Sequence, residues 1–251
     1  MELLIDIGNT NTSIAAASGK RIRERYFLHT SRSELEARSL KRLFRPNLEN
    51  IEAVIVVSVV PDFLRLLKRN LKALFPGVPV LVVGKDIKVP MKNNYRVPSQ
   101  VGQDRLVTAY SAFKSLGGPV VIVDFGTAVT FDLVSGKGEY EGGMIFPGLR
   151  LALGSLSSNA ALLPRVELRY ARSVIGRDTK SSMNNGILYG YASMCDGIIR
   201  LLRKKYGGKI KIVATGGDAP IVSRYSACIN RISPDLLFKG LTILSENTRT
   251  I

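Results

Sequence analysis

An acidic hairpin that occurs twice constrains this chain more than any other feature. Residues 3–20 read LLIDIGNTNTSIAAASGK and residues 121–137 read VIVDFGTAVTFDLVSGK. With a one-residue gap, Asp6 falls on Asp124, Gly8 on Gly126, and Ser18-Gly19-Lys20 on Ser135-Gly136-Lys137. In each copy an apolar, β-branched run ends in Asp and Gly, turns at small polar residues, returns as a second strand and reverses again at Ser-Gly-Lys. Two such copies predict two related α/β halves, each opening on a meander of strands. A doubly wound dinucleotide fold would alternate strand and helix from the outset.

The segments that follow each copy also correspond. After the first, the pattern predicts a strand over 20–28, a helix over 31–44 and an apolar strand over 54–60. Pro61 then opens a helix with Leu64, Leu67, Leu71 and Leu74 at helical spacing, followed by a strand over 80–83, a loop over 90–98 and a helix over 101–116. Gly117-Gly118-Pro119 is the expected boundary, giving domains 1–117 and 118–251. The second half predicts strands over 120–124, 127–134 and 139–146, a helix from Leu149, and a long helix over 183–206 with Ile187, Tyr191, Cys195, Ile198 and Leu202 on one face. A buried strand over 210–214 and helices over 219–226 and 234–245 close the chain.

Composition excludes some classes of function. The 251 residues are 45% hydrophobic, enough for a packed core. No window approaches the roughly 18 uninterrupted apolar residues of a membrane span, and Met1 leads directly into a strand pattern, so the expected location is the cytoplasm. Cys195 and Cys228 lack metal-ligand spacing, and a single histidine, His29, rules out a histidine-rich metal site. Lys and Arg number 36 against 20 Asp and Glu, a formal charge of +16 that invites a nucleic-acid reading. The basic residues are dispersed and not interleaved with aromatics, so a solvated basic surface that also attracts anionic substrates is favoured over a nucleic-acid partner.

A strand ending in Asp, followed at once by Gly and small hydroxyl or amide residues, is what a phosphate-binding hairpin requires. Glycine admits close approach of backbone N–H groups, Asn and Thr donate to phosphate oxygens, and the carboxylate organises a charge-balancing cation. Asp6-Ile7-Gly8-Asn9-Thr10-Asn11-Thr12 and Asp124-Phe125-Gly126-Thr127-Ala128-Val129-Thr130 both satisfy this. One copy alone reads more readily as an ordinary turn; two in register predict facing hairpins around a nucleoside triphosphate. No Walker lysine motif and no Gly-rich loop opening a helix is present. Val101-Gly102-Gln103-Asp104-Arg105-Leu106 places an acid and a base at a helix start. There they serve either helix electrostatics and a surface ion pair, or deprotonation of a hydroxyl and capture of an anionic acceptor. Gly142-Gly143-Met144-Ile145-Phe146-Pro147-Gly148 and Thr215-Gly216-Gly217 are open between tight packing and backbone exposure to a nucleotide.

Taken in order, DIGNTNT, SVVP at Ser58 to Pro61, VGQDRL, DFGTAVTFD, GGMIFPG, IGRDT at Ile175 to Thr179 and TGGD at Thr215 to Asp218 resemble the type III pantothenate kinases, of the acetate and sugar kinase, Hsp70 and actin superfamily. The resemblance implies two actin-like (ribonuclease H-like) α/β domains with the nucleotide cleft between them, and phosphorylation of pantothenate by ATP to 4′-phosphopantothenate, the first step towards coenzyme A. It implies Asp104 as general base, and Tyr95, Gly102, Gln103, Arg105 and Thr179 as pantothenate contacts. Thr179 would be supplied by the opposite subunit of a homodimer. Asp6, Ile7, Gly8, Asn9, Thr10, Asn11, Thr12 and Ser13 match the first phosphate segment, with Asp6 near Mg²⁺, and Thr127 matches an ATP contact. Asp124 matches the ligand of a monovalent cation, K⁺ or NH₄⁺. Many relatives carry a small residue where Gln103 stands. A phosphohydrolase or another small-molecule kinase of the same fold is the alternative within the fold, since Asp104 would equally activate water; a basic nucleic-acid-binding regulator is the alternative from outside it.

Overall fold

The computed structural model describes residues 1–19, 21–31 and 50–249. The helix expected over 31–44 lies, beyond Ser31, outside the described residues, as does Lys20 at the end of the first repeat. The chain forms two compact units: Met1–Met91 with Arg96–Ser111 and Leu236–Ile251, and Lys92–Tyr95 with Ala112–Asp235.

In the first unit, β1 (Glu2–Ile7), β2 (Asn11–Ser18) and β3 (Arg21–His29) form the expected meander, and β4 (Ala53–Ser58) and β5 (Val80–Val82) extend the sheet in parallel on the other side of β1. The order is β3-β2-β1-β4-β5. The central strands β1 and β4 are apolar on both faces because both faces are covered. Leu3, Ile5, Ile7, Val54 and Val56 pack against Phe63, Leu67 and Leu71 of α1 (Pro61–Leu74). Leu4, Ile55 and Val57 face the other way, onto Val107 and Tyr110 of α2 (Gln103–Leu116) and Phe238, Leu241 and Leu244 of α6 (Leu236–Arg249). Strand alternation thus sends neighbouring residues into two separate cores. Each fully buried leucine contributes about 1.5–3 kcal/mol by removal from water.

The second unit repeats the plan. β6 (Val120–Phe125), β7 (Ala128–Val134) and β8 (Tyr140–Pro147) are an antiparallel meander, and β9 (Lys211–Thr215) pairs in parallel with β6, giving the order β8-β7-β6-β9. Val121, Val123 and Phe125 pack against Leu149 of α3 (Leu149–Asn159) and Leu188, Ala192, Cys195 and Ile199 of α4 (Thr179–Tyr206); of the expected face only Cys195 lies in that buried row, while Ile187, Tyr191, Ile198 and Leu202 are partly buried along its edge. A short α5 (Ala219–Val222) follows β9.

The compact units differ from the contiguous segments 1–117 and 118–251. The closing helix α6 covers the first sheet, and Ser245 Oγ hydrogen-bonds the buried carboxylate of Glu2. Residues 92–95 join the second unit, where Asn94 N donates to Tyr140 O (2.8 Å) and Tyr140 N to Lys92 O (2.8 Å).

Candidate active site

The first acidic turn is built by pairing up to its last residue. Asp6 lies opposite Ser13 and Ile7 opposite Thr12, and Gly8 N closes the turn by donating to Asn11 O at 3.0 Å. Asn9, Thr10 and Asn11 are left exposed, while Thr12 is fully buried. The turn is braced by Thr30, just past β3. Its hydroxyl donates to Gly8 O (2.7 Å), leaving Thr12 Oγ1 to donate to it (3.1 Å), and its N–H donates to Thr10 O (2.9 Å). Thr30 was not singled out from sequence, because no local motif distinguishes it from other hydroxyls; only the register Asn11↔His29 brings it there.

The Gly102–Arg105 segment reaches the same end of the first sheet. Val59 N donates to Ile7 O (3.0 Å), and a Cβ on Gly102 would lie 3.7 Å from Val59 Cγ1. Asp104 and Arg105 are half-buried in the first turn of α2, where a carboxylate suits the helix dipole. The Asp104 carboxylate folds back over Gly102 so closely that a side chain there would displace it. Thr108 Oγ1 donates to Asp104 O at 2.8 Å. Gln103 rests on Gly84, a residue at φ +87° whose Cβ would come within 2.8 Å of the Gln103 side chain. Gly84 belongs to a tight turn, with Gly84 N bonded to Ile87 O (2.7 Å) and the Asp86 carboxylate taking Val82 N (2.9 Å).

In the second unit the turn is one residue shorter, which is where the repeat has its gap. Phe125 pairs with Val129, and Gly126 N donates to Ala128 O at 3.1 Å. Asp124 is half-buried, between Thr130 on the antiparallel side and Thr215 on the parallel side; Thr127 is exposed. The two glycine motifs that sequence left open both pack on this hairpin. Gly148 N donates to Thr127 O (2.9 Å), and Gly148 lies so close to the carbonyls of Gly126 and Thr127 that a Cβ has no room. Gly216, at φ +89°, sits with its would-be Cβ 2.5 Å from Asp124 Oδ1. Asp218 N donates to Phe125 O (3.3 Å), and its carboxylate accepts from Arg150 Nη2 (2.9 Å). The buried Asp132 carboxylate accepts from Tyr140 OH (2.6 Å) and Thr130 Oγ1 (3.0 Å), fixing the second and third strands of this meander to each other.

The remaining expected contacts fall elsewhere. Tyr95 belongs to the second unit, its ring against Gly142, whereas Gly102 to Arg105 belong to the first. Thr179 is exposed at the first position of α4, held by a capping box in which Ser181 N donates to Asp178 Oδ1 (2.9 Å) and Asp178 N to Ser181 Oγ (3.2 Å). Hydrogen bonds from the backbone and side chain of Ser181 hold the Asp178 carboxyl below its ordinary range. Cys195 is buried, its thiol pushed up to about 12 by burial, so it is a packing residue. His29 is exposed at the end of β3.

Among the described residues no cluster of three or more His, Cys, Asp or Glu forms a protein-only cage for a metal ion. Single half-buried carboxylates beside open backbone turns, as at Asp6 and Asp124, suit ions that complete their shells with phosphate oxygens and water. Each turn, taken by itself, thus has donors and a carboxylate of the kind that phosphate accompanied by a cation requires.

Residues 2–201 match the family model of the type III pantothenate kinases. A type III pantothenate kinase of Moorella thermoacetica is 37% identical over 252 residues, covering 98% of this chain and 99% of its own length. Among solved structures, a conserved Campylobacter jejuni protein described as a Baf family transcriptional activator superposes with a TM-score of 0.61 at 20% identity, covering 99% of this chain and 100% of that one. A Sinorhizobium meliloti protein described as a 2-dehydro-3-deoxygalactonokinase superposes with a TM-score of 0.59 at 11% identity, over the whole of both chains. These likenesses show the actin-like, sugar-kinase type of α/β fold.

Proposed function

The chain belongs to the type III pantothenate kinase family and phosphorylates pantothenate at the expense of ATP in coenzyme A biosynthesis; we propose that Asp104 is the general base of that reaction. What supports this assignment is the position of Asp104 in the first turn of α2, its carboxylate folded over Gly102, which lies beside Val59, whose N–H bonds Ile7 O at the end of β1. Asp104 orients the primary hydroxyl of pantothenate and takes its proton as the oxygen attacks the γ-phosphorus. Arg105 holds the acceptor carboxylate with two parallel N–H donors, and Gln103, Gly102, Tyr95 and Thr179 shape the rest of the acceptor site. The backbone and side chains of residues 6–13, with Thr127, hold the phosphates of ATP.

Mg²⁺ is assigned to Asp6 together with the phosphates, and a monovalent cation, K⁺ or NH₄⁺, to Asp124. When bound, these ions neutralise charge that develops on the transferring group. The cytoplasm is the assigned location; no described helix is long and apolar enough to cross a membrane. A homodimer is assigned as the working form, with Thr179 serving the partner's acceptor site. It is supported by exposed apolar side chains around the start of α4, Ile175 at 74% and Val174 at 60% exposure. ADP release with and without pantothenate, and with and without K⁺, tests the whole reading. Phosphate release from ATP that needs no acceptor would replace the kinase with a hydrolase.

A further inference from the structure

Residues 92–95 join the second unit although the chain on either side, up to Met91 and from Arg96, belongs to the first. The backbone holds them there through one residue. Tyr140 N donates to Lys92 O (2.8 Å) and Asn94 N donates to Tyr140 O (2.8 Å), which makes a single parallel bridge between Asn93 and Tyr140. A lone bridge, unlike a sheet of several strands, is marginal in water by itself. Side chains supply the rest. Lys92 Nζ donates to Glu139 Oε1 (3.1 Å), and the Asn94 amide donates to Glu139 Oε2 (3.0 Å) and to Glu141 Oε1 (3.1 Å). An amide NH₂ has two donors, and here each meets a carboxylate, an acceptor about twice as strong as a neutral one. These bonds, that of Asn94 first and that of Lys92 second, hold the Glu139 carboxyl below its ordinary range.

The surface under this segment is shaped by a β-bulge. Val134 lies opposite Tyr140 and Leu133 opposite Gly142, so Glu141 is an extra residue on β8. Bulges re-aim side chains, and this one falls where Glu141 reaches Asn94. Gly142, next in the chain, takes φ +113°, and a Cβ there would stand 3.5 Å from Cδ2 of Tyr95. Tyr140, fully buried, is anchored by its hydroxyl to the Asp132 carboxylate (2.6 Å), so the bridge is seated on a fixed residue. Tyr95 is tied in turn to its own segment, its N–H donating to Asn93 Oδ1 at 3.0 Å. The ring therefore leaves a backbone fastened at 92, 93 and 94 and rests on a glycine surface.

We infer, on the reading of Tyr95 as a pantothenate contact, that Asn94 is a positioning residue for the acceptor, acting through Tyr95 by its grip on Glu139 and Glu141. Lys92 bonds one of these carboxylates; Asn94 bonds both. Its amide fixes the 92–95 segment on β8, and with it the place of the Tyr95 ring over Gly142. Without that grip the ring takes up more positions. Acceptor affinity then falls in proportion to the fraction of molecules that still present it correctly. The ATP side, which draws on residues 6–13 and Thr127, is untouched.

Steady-state kinetics on the full-length protein, with pantothenate and ATP varied in turn, test this in Asn94→Leu, which keeps the volume and removes both donors. KM for pantothenate is expected to rise about three- to tenfold, with kcat and KM for ATP within about twofold of wild type. Asn94→Asp keeps the shape but sets a third carboxylate beside Glu139 and Glu141, and should raise KM for pantothenate at least as far. In a Tyr95→Ala background Asn94→Leu should change KM for pantothenate by less than about twofold, because the residue through which it acts is gone. An unchanged KM in Asn94→Leu and Asn94→Asp, a loss confined to kcat, or full additivity with Tyr95→Ala would overturn the role of Asn94. Tyr95→Ala with the wild-type KM for pantothenate would instead remove Tyr95 from the acceptor site, and the role of Asn94 with it.

Discussion

A Cβ on Gly216 would stand 2.5 Å from Oδ1 of Asp124, so the glycine after β9 sets where that carboxylate rests. Parallel pairing of Asp124 with Thr215 brings the two strand ends together, and the φ of +89° at Gly216 turns the chain away before it meets the carboxylate.

Gly216→Ala both strains the backbone and pushes on Asp124. The strained φ costs of order 1–3 kcal/mol. A thermal unfolding scan should register that loss, and K⁺ activation should weaken by more than ATP binding does. Unchanged half-activation by K⁺ would detach Asp124 from the cation.

Asp104→Asn keeps the shape of the α2 start and removes the base. Turnover should fall by about 10²–10⁴-fold, with affinity for a non-hydrolysable ATP analogue within a few-fold of wild type. Steady-state ADP release and analogue titration measure the two quantities. Near-normal turnover would remove Asp104 from the role proposed for it.

Thr30→Val deletes the hydroxyl that bonds Gly8 O and leaves Thr12 Oγ1 buried without that partner. The expected destabilisation is about 1–3 kcal/mol. KM for ATP should rise while KM for pantothenate stays close to wild type, because the brace belongs to the phosphate turn. Initial-rate kinetics in both substrates decide it.

Gly84→Ala drives a methyl group into the Gln103 side chain. KM for pantothenate should rise, and Gln103→Ala introduced with it should restore part of the loss by vacating the contested space. No recovery in the double variant would show that backbone strain at residue 84 carries the effect.

Asp196, buried on α4, gives a pH signature. Burial acts to raise its pKa, but the hydrogen bonds from Ser226 Oγ, Ala227 N and Cys228 N outweigh burial and leave it lowered. A carboxylate with a lowered folded pKa stabilises the native state above its unfolded value of about 3.9, and that contribution disappears as pH falls through the folded pKa. Melting temperatures taken from about pH 3 to pH 6 should therefore fall more steeply at the acid end in wild type than in Asp196→Asn.

Much of this was legible in sequence because it is periodic or local. The repeat located both meanders, and the apolar spacing of Leu67 and Leu71 located the buried face of α1, whereas on α4 the buried row Leu188, Ala192, Cys195 and Ile199 shares only Cys195 with the expected one. Thr30, Gly84 and Arg150 were illegible because their importance lies in partners 22, 19 and 68 residues away, fixed only by sheet register and helix packing. The closing helix shows the same limit. Its amphipathic pattern announces a helix with one apolar side, yet nothing in residues 236–249 says which of two sheets will receive Phe238, Leu241 and Leu244.

That choice of sheet has a consequence for synthesis on the ribosome. Residues 112–235 are contiguous and complete a hydrophobic core as they emerge, whereas the sheet that contains Glu2 must wait for residues 236–249 before its second face is covered. Strands made before the second unit are sealed only after it, and a nascent chain stalled short of residue 236 leaves Leu4, Ile55 and Val57 without α6, open to chaperones and to neighbouring chains.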